Sequence, residues 1–320
     1  MKGAAPVIGV DLGGTKIAAG VVTAAGQILA RARADTRAAE GPAGVIGRMV
    51  GLIAALRQQA PQATAVGVCS PGPVSARQGA VIQPPNLPGW DYVPLRAILS
   101  EQIGLPVALD HDCRAAALAE HHWGAGRGVG DMIYVTVSTG VGSGILLDGE
   151  LWAGASESAG EIGHCTIDQN GPVCGCGRRG CVEAFASGTA IARRARELLD
   201  QGRQSRILEL AGGQIAAVTA RQVTEAALAG DALGVELLAE AGRALGIGFA
   251  ILANVVNPRL IVVGGSLVKA GDLLLEPARA ALRTWSVPAA AEALEVTPAR
   301  LGDDVGILGA ALLALRTAGS

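Results

Sequence analysis

Residues 6–22 read PVIGVDLGGTKIAAGVV. An apolar run reaches Asp11, the chain passes through Gly13-Gly14-Thr15-Lys16, and a second apolar run fills positions 17–22. Short Val/Ile-rich runs punctuated by glycine predict two strands of a hairpin. A turn at Ala25-Gly26-Gln27 and the alternation across 28–36 predict a third strand. A glycine pair beside an aspartate can line up backbone N–H groups around phosphate oxygens. The same letters also suit a plain glycine-bearing turn. The stretch is neither G-x-G-x-x-G nor a P-loop, because a strand and not a helix follows it.

The pattern recurs at 132–150, MIYVTVSTGVGSGILLDGE, where strand, Thr139-Gly140, strand and an Asp148-Gly149 turn follow in order. Two such hairpins predict duplicated halves facing across a cleft. A third glycine pair, Gly264-Gly265, follows the apolar strand 260–263. It reads either as an ordinary strand-to-loop turn or as a rest for a nucleotide base or ribose. Between the hairpins, the strand 106–110 leads into a helix starting around Asp112. A long helix at 236–257 carries Gly and Ala at spacings that permit close helix contact. The apolar, Gly/Ala-rich segment 305–315 is expected to pack on the first domain.

At 320 residues the chain has room for two domains. Half of it is hydrophobic and 17% charged, which argues against disorder. A net charge of −2 without a basic block argues against nucleic acid as a partner. The apolar run 244–253 is too short for a membrane span and no apolar leader is evident, so a soluble, cytoplasmic protein is expected.

Four of the six cysteines fall in 164-HCTIDQNGPVCGCGRRGCVE-183. In a reducing compartment such a cluster reads as a metal or catalytic site before a disulfide framework. His164, Cys174, Cys176 and Cys181 make a closed Cys₃His set suited to structural Zn²⁺, in a loop whose glycines allow tight folding. Cys165, adjacent to His164, is poorly placed to join them. A redox pair at Cys174/Cys176 or unrelated buried thiols are the weaker alternatives.

Taken together, DLGGTK (11–16), PGPV (71–74), NLPGW (86–90), AGEIGH (159–164) and C-G-C-G-x-x-G-C-x-E (174–183) resemble the ROK family of sugar kinases and related repressors. The resemblance implies an α/β, two-domain actin-like ATPase (ribonuclease H-like) fold of duplicated βββαβαβα units with an interdomain cleft and a zinc loop. It places a small lobe at 1–112 plus 305–320 and a larger lobe at 113–304. The implied activity is ATP-dependent phosphorylation of a hexose hydroxyl, the 6-OH, as in a glucokinase. The alternatives are an N-acetylhexosamine or other sugar kinase, and a non-catalytic sugar sensor. About five residues precede the first strand, so no helix-turn-helix module is expected there.

By the same resemblance Asp112 is the catalytic base, and its other role is to cap the helix that follows. Asn86, His111, Asp112, Glu161, His164 and Glu183 are implied to bind the sugar. Asp11, Gly13, Gly14, Thr15, Lys16, Thr139, Gly140, Gly264 and Gly265 are implied to bind ATP, with Asp11 facing Mg²⁺ through water. Zn²⁺ would fix one nitrogen of His164 and leave the other for the sugar. A homodimer is implied, without nucleic acid or membrane. The chain departs from the family's Asn-Asp-Ala-Asn at 111-HDCR-114: His111 stands where an Asn contacts sugar, and Arg114 is expected to add charge near the base.

Overall fold

The computed structural model describes residues 5–318. Two compact units divide it. The first comprises the chain through Arg127, Leu151–Ala159 and the segment from Arg300; the second comprises Gly128–Glu150 and Gly160–Ala299.

The first unit holds strands β1 (Val7–Leu12), β2 (Lys16–Val22), β3 (Ile28–Asp35), β4 (Val66–Ser70), β5 (Val74–Ser75), β6 (Ala80–Val81) and β7 (Val107–His111). Its helices are α1 (Gly41–Gln59), α2 (Leu95–Ile103) and α3 (Asp112–Trp123). The main sheet runs β3-β2-β1-β4-β7, with β1–β3 antiparallel and β4 and β7 parallel to β1. The second unit holds β8 (Met132–Val137), β9 (Val141–Leu147), β10 (Glu150–Leu151), β11 (Leu260–Gly264) and β12 (Glu295–Pro298). Its sheet order, β10-β9-β8-β11-β12, repeats the first, with β8/β9 antiparallel and β8/β11/β12 parallel. The two glycine-bearing hairpins therefore open two copies of one sheet plan, as the sequence implied.

Helices α4 (Val182–Ala186), α5 (Gly188–Asp200), α6 (Arg206–Leu210), α7 (Ala220–Leu228), α8 (Ala232–Val255), α9 (Asp272–Trp285) and α10 (Pro288–Ala293) complete the second unit, and α11 (Val305–Ala318) returns to the first. The glycines of α8 let α9 approach: a Cβ on Gly242 would lie 2.3 Å from the Leu274 carbonyl, and one on Gly246 2.2 Å from that of Ala278. In the first unit Gly20, Gly9, Gly67 and Ala108 form one row across β2, β1, β4 and β7. Helix α11 lies along that row. A Cβ on Gly9 would meet the Ile307 carbonyl at 2.1 Å, and one on Gly67 the Ala310 carbonyl at 1.7 Å.

The expected lobe boundary after Asp112 differs from the division seen. Helix α3 stays with the first unit because it packs on α11: Gly309 approaches the Ala115 carbonyl too closely for any side chain. The 38–59 stretch is long and apolar enough, by length and composition alone, to cross a membrane. Its Val45, Ile46, Met49, Ile53 and Leu56 are buried in the first unit's core beside Val10, Ile17 and Val68.

Candidate active site

The carboxyl ends of three parallel strands gather the acidic groups of the first unit. Register places Asp11 of β1 beside Cys69 of β4, and Cys69 beside Asp110 of β7; Ser70 pairs with His111. The Cys69 thiol donates to Asp11 Oδ1 at 3.5 Å. A Cβ on Gly306, at the start of α11, would lie 2.4 Å from Asp11 Oδ2. Burial, reinforced by the charge of Asp112, raises Asp11 from 3.8 to about 6, against the opposing pull of Cys69 and Lys16. A carboxylate so disfavoured in its ionised form is suited to a nearby cation.

The Gly13-Gly14 bend is pinned by a residue outside the motif. Thr36, fully buried, donates its hydroxyl to the Gly13 carbonyl at 2.6 Å and its N–H to the Thr15 carbonyl at 2.8 Å. Arg48 in turn donates to the Thr36 carbonyl from Nε and Nη2 at 3.1 and 2.8 Å. Thr15 and Lys16 remain exposed. Gly14 carries no side chain because Asn86 occupies that space, its Cβ 2.8 Å from where one on Gly14 would be. The structure thus brings Asn86 to the hairpin.

Strand β7 passes directly into α3. His111, still extended (φ −66°, ψ 142°), is the N-cap, and its Nδ1 accepts the Cys113 N–H at 3.1 Å. Asp112 is the first helical residue; its Oδ1 shares that N–H at 2.6 Å. The cap expected of Asp112 therefore belongs to His111, and the Asp112 side chain stays 41% exposed, open to a substrate. Arg114 does not add free charge beside it. The guanidinium is buried, and its Nε donates to Asp110 Oδ1 at 2.6 Å.

In the second unit the side chains of the cysteine-bearing loop gather in one place. The ligand atoms of His164, Cys174, Cys176 and Cys181 all lie within 4.8 Å of one another. Cys174 Sγ is 3.7 Å from His164 Nδ1, and Cys176 Sγ 3.7 Å from Cys181 Sγ. A tetrahedron with zinc–sulfur bonds of ~2.3 Å has edges of roughly 3.7 Å, so the set is compatible with zinc. Cys165 stands outside the cluster, its Sγ 4.0 Å from the Glu161 carbonyl. Burial pushes the Cys174 thiol up to about 12, whereas the Arg178 backbone N–H lowers Cys176. With Nδ1 turned to the thiols, His164 Nε2 lies 4.0 Å from Glu161 Oε2. Glu183 links the loop to the second hairpin: Oε2 accepts the Val141 N–H at 2.9 Å and Oε1 lies 3.7 Å from Cys174 Sγ. Gly140 must lack a side chain there, since a Cβ would fall 2.6 Å from Glu183 Oε2.

A cavity of about 300 Å³ opens in the same unit, lined by Ser138, Thr139, Thr189, Arg196, Thr219 and Ser266 among others. Thr189 donates its hydroxyl to the Thr139 carbonyl at 2.9 Å, and the Ser138 and Ser266 hydroxyls are 3.1 Å apart. Thr139 lies in the turn between β8 and β9. Gly264 and Gly265 have packing reasons of their own: side chains there would strike the Tyr134 ring and the Val137 backbone, and Gly265 has φ +87°. Sequence reasoning missed Thr36, Thr189, Arg196 and Thr219. The capping box at Thr219-x-x-Gln222 was a readable signal for the last of them.

Against this geometry, residues 7–317 match the ROK family model. The chain belongs to the ROK family. It is 36% identical to a glucokinase of Thermotoga maritima over 305 residues, 95% of this chain and 96% of that one. It is 35% identical to an N-acetylmannosamine kinase of Shigella flexneri, covering 96% and 98% of the two chains. Among solved structures, a ROK glucokinase of Streptomyces griseus in complex with glucose and AMPPNP superposes with TM-score 0.86 at 35% identity, covering 97% and 99%. The fold is that of the actin-like ATPases, as ROK kinases have it.

Proposed function

We infer that this ROK protein is an ATP-dependent, glucokinase-like sugar kinase that transfers the γ-phosphoryl group of ATP to the 6-hydroxyl of a hexose. The observation that carries the reading is the β7–α3 step: an exposed carboxylate, Asp112, stands beside Asp11 and the glycine hairpin at one end of a sheet. Near full-length similarity to glucokinases supports it.

In the proposed reaction the sugar oxygen forms a bond to the γ-phosphorus, the bond to the β-phosphate oxygen breaks, and ADP leaves. Asp112 takes the hydroxyl proton on a carboxylate oxygen. The N–H groups of Gly13, Gly14 and Thr15, with Lys16, hold phosphate oxygens. Thr139 and the cavity beside it hold the nucleoside, with Gly140, Gly264 and Gly265 shaping the backbone there. Magnesium, bound with the nucleotide, would neutralise phosphate charge, and Asp11 would hold it through water. The disfavoured charge of Asp11 fits that role.

By the family resemblance, Asn86, His111, Asp112, Glu161, His164 and Glu183 are proposed as the residues that hydrogen-bond the sugar. Zinc would lock the His164 ring through Nδ1 and leave Nε2 for a hydroxyl. ATP use and a thiolate cluster both suit a cytoplasmic setting, and a homodimer is proposed from the family resemblance. The identities to glucokinase and to N-acetylmannosamine kinase are nearly equal, and His111 stands at a sugar-contact position. A second reading therefore keeps the mechanism and changes the acceptor to an N-acetylhexosamine.

Release of ADP from MgATP across glucose, mannose, N-acetylglucosamine and N-acetylmannosamine tests both. Turnover with a hexose supports the first reading, and turnover confined to N-acetylhexosamines the second. Sugar binding by calorimetry without ADP release from any of them would replace both with a sugar sensor.

A further inference from the structure

Glu157 is a left-handed residue without being glycine, with φ +60°. Such backbone is costly and persists only where neighbours enforce it. Here they do. The Glu157 carboxylate accepts from the Ser75 hydroxyl at 2.9 Å and from the Ala76 and Arg77 N–H groups at 2.6 and 3.2 Å. Burial opposes its ionisation, but these bonds and the Arg77 charge outweigh it and hold the pKa below the ordinary value. The Glu157 carbonyl accepts from Arg114 Nη1 at 2.6 Å.

Arg114 is the hub of this arrangement. Its side chain is 4% exposed, and it also donates to the Val74 carbonyl at 3.3 Å. Its Nε meets Asp110 Oδ1, the same oxygen that accepts the His111 N–H at 2.7 Å. On the other side of the His111 ring lies Gly72, where a Cβ would be 2.5 Å from Cδ2 and 2.7 Å from Nε2. Arg114 therefore grips the backbone before His111 through Asp110. It grips the turn facing the ring through Val74, two residues beyond Gly72. With Nδ1 committed to the Cys113 N–H, the ring has one orientation and its Nε2 edge one setting.

We propose that Arg114 is a positioning residue for sugar recognition: held by Asp110 and by the Val74 and Glu157 carbonyls, it fixes the His111 imidazole that faces the acceptor sugar. The proposal rests on the sugar-kinase reading above. An arginine suits the post because its planar fork serves three acceptors at once, which a lysine ammonium on a flexible stem cannot do in the same geometry. Glu157 is the second post, tying its own strained segment to the turn after β5.

The test compares Arg114→Lys, Glu157→Gly, His111→Asn and the Arg114→Lys/His111→Asn double variant with the wild type, in the full chain. Arg114→Lys keeps a charge for Asp110, and Glu157→Gly relieves the left-handed strain, so both are suited to fold; melting curves check this. Arg114→Lys is expected to lower kcat/KM for the best sugar about tenfold or more and to change the ranking of sugars, with KM for ATP within about twofold of wild type. Glu157→Gly, which keeps its carbonyl for Arg114, is expected to shift the same quantities less. In the His111→Asn background the effect of Arg114→Lys should shrink to about twofold, since the residue through which it acts has gone.

Wild-type sugar kinetics and ranking in Arg114→Lys would overturn the proposal. So would a loss shared equally by sugar and ATP parameters, or an effect of the same size with and without His111. A wild-type enzyme that phosphorylates no sugar sinks the kinase reading instead, and is seen before any variant is made.

Discussion

Asp112 and Asp11 lie at one end of one sheet but stand in different surroundings, and that difference separates their proposed roles. Asp112 is 41% exposed and able to receive a proton from a substrate. Replacing it with Asn keeps the shape and removes the acceptor. Turnover should fall by roughly 10² or more while sugar affinity, measured by calorimetry, stays within a few-fold. A variant with a tenth of wild-type turnover would show that another group takes the proton. For Asp11 the folded state raises the pKa from 3.8 to about 6. The folded chain then binds the proton more tightly than the unfolded one. Stability from this group is greatest below pH 3.8, falls as pH rises to about 6, and stays reduced above it, by on the order of 3 kcal/mol. Asp11→Asn carries no such penalty. Without added magnesium and nucleotide, its melting temperature should gain on the wild type between pH 4.5 and pH 7. A pH-independent difference would show that the buried charge costs nothing.

At the scale of elements, what could be read from the sequence was what is local. Each hairpin announces itself through apolar runs broken by glycine, and the Cys₃His spacing survives folding because its loop is short. The cap at α3 was misassigned because Asp and His are both able acceptors, and only the backbone conformation shows which is outside the helix. From the sequence Arg114 reads as added charge near the base, because its partners include the Val74 and Glu157 carbonyls, which leave no mark in side-chain identity. Thr36 leaves no sequence signal for the same reason, since it holds the Gly13-Gly14 bend through backbone atoms. The Cys₃His loop yields a prediction at this scale. Cys176→Ser removes one of the four proposed ligands, so metal analysis should fall from about one zinc per chain to a small fraction. Because Glu183 and His164 are set by that loop, sugar KM should rise along with the loss of stability. Full activity in zinc-free protein would overturn this account.

At the scale of the whole molecule, the first unit is completed only by the end of the chain. Its sheet has a row of small residues, Gly20-Gly9-Gly67-Ala108, and α11 lies on that row some 240 positions later in the sequence. Neither partner is unusual alone: glycines in strands weaken them, and a Gly/Ala-rich helix has little apolar surface to offer. Together they permit backbone-to-backbone approach that no larger residue allows. Two substitutions of the same kind should therefore have opposite signs. Gly67→Ala places a methyl 1.7 Å from the Ala310 carbonyl, inside a packed helix–sheet contact that cannot yield without moving α11. It should cost roughly 3 kcal/mol or more, seen as a large fall in the thermal midpoint. Gly51→Ala, on the exposed side of α1 with nothing within 4 Å, meets no such barrier. It should stabilise by up to ~1 kcal/mol, because alanine loses less backbone entropy on entering a helix. If Gly67→Ala melted like the wild type, α11 would not be seated on the sheet as described, and the first unit would have to close in another way. The control then matters, because a stabilising Gly51→Ala shows that the measurement can resolve effects of about 1 kcal/mol.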